Sequence, residues 1–320
     1  MSIIDIILRP KSILQIMMRV LIIFVFFVSI LPFDKPDVIA QEPDKQQIVF
    51  LPLVLKNSLT SCPEGPEEWL CLFNQYRTQT GLDPISHNLV YSEGLNAHTS
   101  YLINCPQQVD VNVHRETECE NFATLQGDEA GRNSNMAYLL GGKGLTQKDS
   151  IDLWMATASH RYKMLNPYLP QSGFSLKCEF NNCFSGLNIQ QSLNYSTSIS
   201  TNNYFYPNDM QQNIPPTRFP ITWGFYVPWI NDPDFLLGLG PLDDSKEVFF
   251  VSASIYNENE QKVRYTISEP NHSDGVCEYN NQIVITPTEN LLPNQKYRVE
   301  MVVSFRGQTF SKSWSFTTAP

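Results

Sequence analysis

The sequence predicts an α+β protein in two unlike parts, a helix-rich layered half followed by an all-β half. Three observations carry this. Between Pro66 and Pro167 apolar residues recur at helical spacing. From Gly173 to Gln190 two short β-rich runs flank a turn, and beyond Tyr204 strand-length runs of β-branched and aromatic residues follow one another. At 320 residues the chain is too long for one small core and suits two domains after processing.

Arg9, Lys11 and Arg19 precede the uncharged apolar run Val20 to Leu31, and Val38-Ile39-Ala40 places small residues where a signal peptidase cleaves. That order predicts a signal peptide at 1–40, with no membrane span once it is removed. The run is shorter than the roughly 20 apolar residues of a membrane-spanning helix, which leaves an uncleaved anchor as the alternative. Residues 41–61 read as a linker with one apolar island, Ile48 to Leu55, which Pro52 interrupts; an edge strand or docking segment suits it.

The first helix is expected to open at Pro66 and the Glu67-Glu68 pair, to bury Trp69, Leu72, Phe73 and Tyr76, and to close at Gly81. A second runs from about Asn88 to Asn104. A third includes Met136 to Leu140 and stops at Gly141-Gly142. Thr146 with Asp149 three residues on resembles a capping box, starting a fourth helix through Ile151 and Trp154 that ends at Asn166-Pro167. Gly173–Cys178 and Cys183–Gln190 then read as a hairpin about Asn181-Asn182. The Ser/Thr/Asn-rich stretch that follows places a linker at 194–203. Glu247–Tyr256, Val263–Ser268, Gln282–Thr286, Tyr297–Phe305 and Thr309–Thr317 are expected strands, enough for a β-sandwich.

The net charge is −10, and the signal segment takes four basic and three acidic residues with it. No basic cluster remains, which argues against nucleic acid and anionic membrane surfaces as partners. All seven cysteines lie beyond Ala40, as in a chain destined for an oxidising compartment. Spacing suggests Cys62 with Cys71, Cys105 with Cys119 and Cys178 with Cys183, with connectivity left open and Cys277 left over. No spacing matches a structural zinc site.

His114, Glu120 and His160 are the candidate site residues. Two imidazoles and a carboxylate are the ligand set of an open zinc site, and the same trio without metal suits acid–base work. Their spacing alone does not bring them together, unlike His-Glu-x-x-His on one helix. His87 and His98 read as surface or packing residues, and Trp69 and Trp154 as core. Ser159 does not face its neighbour His160, and no Gly-x-Ser-x-Gly elbow is present.

The three neighbourhoods Asn112-Val113-His114, Cys119-Glu120-Asn121-Phe122-Ala123 and Trp154 to Arg161 together resemble the CAP superfamily, also known as the cysteine-rich secretory, antigen 5 and pathogenesis-related 1 proteins, or SCP domain. The third resembles the bacterial form Trp-x-x-Ser-x-x-His-Arg. The likeness runs from about Trp69 to Gln190 and includes Asn74, Arg77 and Gly81-Leu82. It implies a CAP-type α-β-α layered domain at 62–193 in which His114, Glu120 and His160 line one cleft. Two departures stand out: Cys119 replaces the glycine of Gly-Glu-Asn, and the family's second glutamate falls on Thr157. The segment 204–320, with Ile285-Thr286-Pro287 and its Trp314-Ser315-Phe316 ending, looks like a bacterial Ig-like sandwich.

The resemblance implies an extracellular or surface-displayed binding module. Its cleft would hold a divalent metal such as Zn through His114 and His160, or a small lipid-like ligand. An extracellular lipid, glycan or protein is the partner class. The alternative is a metal-dependent peptidase or esterase in which Glu120 and His160 are catalytic. Fold likeness alone does not establish chemistry.

Overall fold

The computed structural model describes residues 62–142, 144–196, 198–199, 202–226, 247–270 and 281–320. The expected signal segment, the 41–61 linker with its apolar island, His272 and Cys277 lie outside them. Residues 51–320 belong to one compact unit. Among the described residues no helix is long and apolar enough to cross a membrane.

Helix α1 (Glu68–Gln79) carries an acidic first turn and a basic last turn, complementing its dipole, and buries Trp69, Leu72, Phe73 and Tyr76. Asn74 makes two bonds with the backbone of Ile85, donating to its carbonyl at 3.0 Å and accepting from its N–H at 2.8 Å. Strand β1 (Ser86–His87) follows. Helix α2 (Leu89–Asn104) starts where Asn88 Oδ1 accepts from Val90 N–H at 3.0 Å. A single-turn helix α3 (Gln108–Asn112) leads into the His114 loop, and α4 (Leu125–Arg132) follows, capped by Thr124.

The stretch Met136 to Leu140, expected as helix, is instead strand β2 (Ser134–Leu139). It pairs along its whole length with a later strand, from Ser134 opposite Asn188 to Leu139 opposite Cys183. Long-range pairing overrides the local propensity of Met, Ala and Leu. The helix in this region is α4, eleven residues upstream at its start, whose two glycines and charged residues hid it.

Helix α5 (Gln147–Ala156) begins at the expected capping box, with Thr146 and Asp149 bonding each other's backbone N–H. It stops at Thr157, whose backbone is extended, and α6 (Ala158–Met164) starts anew. Buried Arg77 donates to Met164 O at 2.8 Å and Asn166 O at 2.9 Å, closing the end of α6. Strand β3 (Gln171–Ser172) pairs in parallel with β1. The hairpin of β4 (Phe174–Glu179) and β5 (Asn182–Asn188) is as expected, though its two left-handed turn residues are Phe180 and Asn181. Strand β5 is central in the sheet β2-β5-β4. Disulfides join Cys62–Cys71, Cys105–Cys119 and Cys178–Cys183, as the spacing suggested.

Among the described residues nine strands follow: β6 (Asn203–Tyr206), β7 (Gln211–Ile214), β8 (Ile221–Phe225), β9 (Val248–Asn257), β10 (Lys262–Val263), β11 (Tyr265–Ser268), β12 (Gln282–Pro287), β13 (Lys296–Phe305) and β14 (Gln308–Thr318). Four of the five expected runs are single strands, Val263–Ser268 divides at Arg264 into β10 and β11 in different sheets, and the first three strands are additional. They form one sheet ordered β10-β9-β13-β14-β7 and another ordered β11-β12-β8-β6. Strand β13 buries every second residue, Tyr297 through Phe305. Phe225 stacks on Phe305 at 4.6 Å and Phe205 meets Trp314 at 5.2 Å, joining the two inner faces.

Strand β8 is buried along its entire length because its sheet is covered on the outer side as well. Helix α6 supplies the cover. Tyr162 donates to Phe225 O at 2.8 Å, Tyr226 donates back to Tyr162 O at 2.6 Å, and Gln282 Nε2 reaches Ala158 O at 3.5 Å. Arg161 lies at the centre, fully buried, donating to Met155 O at 2.7 Å and Pro220 O at 2.8 Å. Its guanidinium sits over Tyr206 at 4.6 Å and Phe219 at 5.4 Å.

Candidate functional site

The site is built on a buried pair that the sequence does not advertise. His98, on the inner face of α2, has its ring nitrogens 2.9 Å from Glu116 Oε1 and 2.9 Å from Val113 O. Both side chains of the pair are inaccessible to solvent. Glu116 Oε2 also accepts from Thr124 N–H at 2.6 Å, at the start of α4. The pair thereby clamps the loop between α3 and α4 on both sides of His114. A Cβ at Gly131 would lie 2.5 Å from the His98 ring and 2.9 Å from His114 O, so only glycine lets α4 come this close.

His114 is then held by its ring. Its Nδ1 lies 3.0 Å from Gly131 O. A carbonyl only accepts, so Nδ1 carries the proton and Nε2 presents its lone pair. His160 is held in the same tautomer by a different partner. Thr157 Oγ1 lies 2.7 Å from His160 Nδ1 and 3.2 Å from Trp154 O; with its one proton assigned to the carbonyl, Nδ1–H is the donor to Thr157. Thr157 is thus a hydrogen-bond acceptor that orients an imidazole. Neither Nε2 has a hydrogen-bond partner among the described residues.

Burial lowers the basicity of both rings. His160 is pushed down to about 4, first by desolvation and then by the charges of Lys163 and His114. Desolvation also lowers His114, aided by Lys163 and His98, against the opposing bond to Gly131. The two imidazoles therefore feel each other and share Lys163, itself lowered by burial. Both are neutral at physiological pH, the state in which imidazole ligates a metal.

The sign of the pH dependence follows. The folded state disfavours the proton on His160, so its contribution to stability is full above about 6.5, its ordinary value, and is lost as the pH falls toward about 4. Urea unfolding across that window is expected to show wild type losing more stability than His160→Gln, which does not titrate. Parallel curves for the two proteins would contradict the assignment.

Glu120 stands apart. It lies exposed in the turn in which Phe122 N–H bonds Cys119 O at 3.0 Å, and its side chain bonds neither imidazole. Among the described residues, no three His, Cys, Asp or Glu side chains gather as a metal-holding group. Among the candidate site residues the side-chain nitrogens with no hydrogen-bond partner among the described residues are the two Nε2 atoms, with Lys163 adding positive charge near both rings. Nearby Asn135 donates to His160 O at 3.4 Å and leaves its buried Oδ1 without a protein partner.

Glu116, Gly131 and Lys163 escaped sequence reasoning, and so did the bond between Thr157 and His160. None belongs to a spaced motif; only the single turn between Thr157 and His160 is local enough to have signalled a contact. No protein-family model and no curated protein matches this chain.

Proposed function

We propose that this chain is a secreted or surface-displayed protein in which a CAP-type domain, followed by an Ig-like sandwich, acts as a binding module. Its pocket is centred on His114 and His160 and takes a divalent cation such as Zn²⁺, or a small ligand with a polar head. The observation that carries this reading is the matched state of the two imidazoles, each with Nδ1–H engaged and Nε2 free. Three disulfides support an oxidising, extracellular setting. A hydrolytic reading would need a carboxylate at the imidazoles, whereas Glu120 bonds neither and Thr157 carries none.

The test is calorimetric titration of the purified protein with Zn²⁺. Binding is expected to be weak, because only two protein ligands are offered, and to fall at least about tenfold in His114→Ala/His160→Ala, the loss that typically follows disruption of a metal site. Unchanged binding in a double variant that still unfolds cooperatively would sink the reading.

A further inference from the structure

A second constellation lies outside that pocket, on residues the sequence assigns to packing and surface. Ser92 Oγ, in the first turns of α2, is 2.8 Å from His87 Nε2. His87 Nδ1 is 3.0 Å from Glu67 Oε1. The Phe174 N–H donates to Ser92 Oγ at 3.0 Å. That bond occupies a lone pair of the hydroxyl, leaving its proton to point at His87 Nε2, while the Glu67 carboxylate accepts from Nδ1–H. The polarity is Oγ–H to Nε2 and Nδ1–H to carboxylate throughout, the order in which a serine is activated.

The geometry is built. Trp69 meets the His87 ring edge-on at 5.2 Å and fixes its plane. Parallel pairing of β1 with β3 holds His87 opposite Ser172. A Cβ at Gly173 would fall 2.4 Å from Ser92 N, so glycine is what lets the 173–174 backbone press against the serine. Ser92 is half-buried and opens into a groove of about 440 Å³ lined by Leu89, Phe174, Leu176 and Pro66, with Glu93 on its wall. Asn96, Gln147 and Ser175 complete the lining, so the groove mixes apolar and polar groups, and its one charged side chain, Glu93, disfavours anionic substrates.

We infer that Ser92, His87 and Glu67 form a nucleophile, base and positioning residue for hydrolysis of neutral short-chain acyl esters. Ser92 Oγ adds to the ester carbonyl carbon as its proton passes to His87 Nε2. The adduct collapses, the acyl C–O bond breaks, and His87 returns the proton to the departing alkoxide, leaving an alcohol and an acyl group on Ser92. Water then adds with the same proton transfers, releasing the carboxylic acid and restoring the hydroxyl. In the resting state the Phe174 N–H bonds Ser92 Oγ, and it serves the oxyanion only by moving off that oxygen as the adduct forms. A single donor makes this a slow catalyst.

The experiment combines a fluorophosphonate probe with p-nitrophenyl butyrate hydrolysis, both on the full disulfide-bonded chain. Mass spectrometry is expected to place the phosphonate on Ser92. Ser92→Ala is expected to lose about a hundredfold or more of the turnover. His87→Ala should fall about as far and recover in part with added imidazole, which a hydrogen bond of purely structural use would not do. Absence of phosphonate on Ser92 in the wild-type protein overturns the inference, as does turnover that survives Ser92→Ala.

Discussion

An Arg161→Ala variant is expected to lose about 3–5 kcal/mol of stability, the range for removing one side of a buried, hydrogen-bonded charge. The side chain is completely buried, and truncation leaves Met155 O and Pro220 O without their donor. It also removes the cation from above Tyr206 and Phe219 and opens a cavity between α6 and the four-stranded sheet. For a unit of this size the thermal midpoint should drop by roughly 10 °C. Arg161→Met refills the volume without the hydrogen bonds and should fall between the two. Urea unfolding that moves by less than about 1 kcal/mol in the alanine variant would show that the guanidinium is dispensable.

Removing the Cys105–Cys119 disulfide as the double alanine variant is expected to cost about 3 kcal/mol, the value for closing a loop near 15 residues. The effect should be local as well as global. The closed loop carries α3 and His114; beside the bridge Tyr101 Oη accepts from Glu118 N–H at 3.0 Å, while His98 and Asp128 hold the stretch from Val113 to Glu116. Amide exchange between residues 107 and 119 should therefore accelerate more than that of β5. Uniform acceleration across the protein would indicate that the bridge stabilises the fold without restraining the His114 loop.

The elements legible in the sequence were those whose signals are local. The capping box at Thr146 and Asp149, the Asn88 cap, the hairpin staple and the alternating strand β13 each depend on residues within a few positions of one another. Met136 to Leu140 misled because its composition suits a helix while its partner strand lies some fifty residues on. Strands β6, β7 and β8 went unread for a similar cause. Strand β8 is covered on both faces and shows no alternation, and β7 is polar, joining β14 in parallel at Phe316 opposite Gln211.

The candidate site divides the same way. His114 and His160 could be picked out by their motifs, as could the absence of a carboxylate at Thr157. That Thr157 turns His160 into an Nδ1–H imidazole required coordinates, since helix α5 breaks at that residue and the hydroxyl bonds back to Trp154 O. The buried His98–Glu116 pair and the Glu67–His87–Ser92 chain join residues 18, 20 and 5 positions apart across different elements. Linear order carries no information about such hydrogen bonds.

Residue types and their order sufficed for the α+β class and suggested the disulfide partners and two candidate histidines, because helix caps, strand periodicity and short cysteine loops act over short chain distances. Folding had to set the tautomers, the burial of Arg161 and the meeting of Ser92 with His87. Each of these depends on desolvation and on partners supplied by distant segments, and solvent exclusion is a property of the packed molecule.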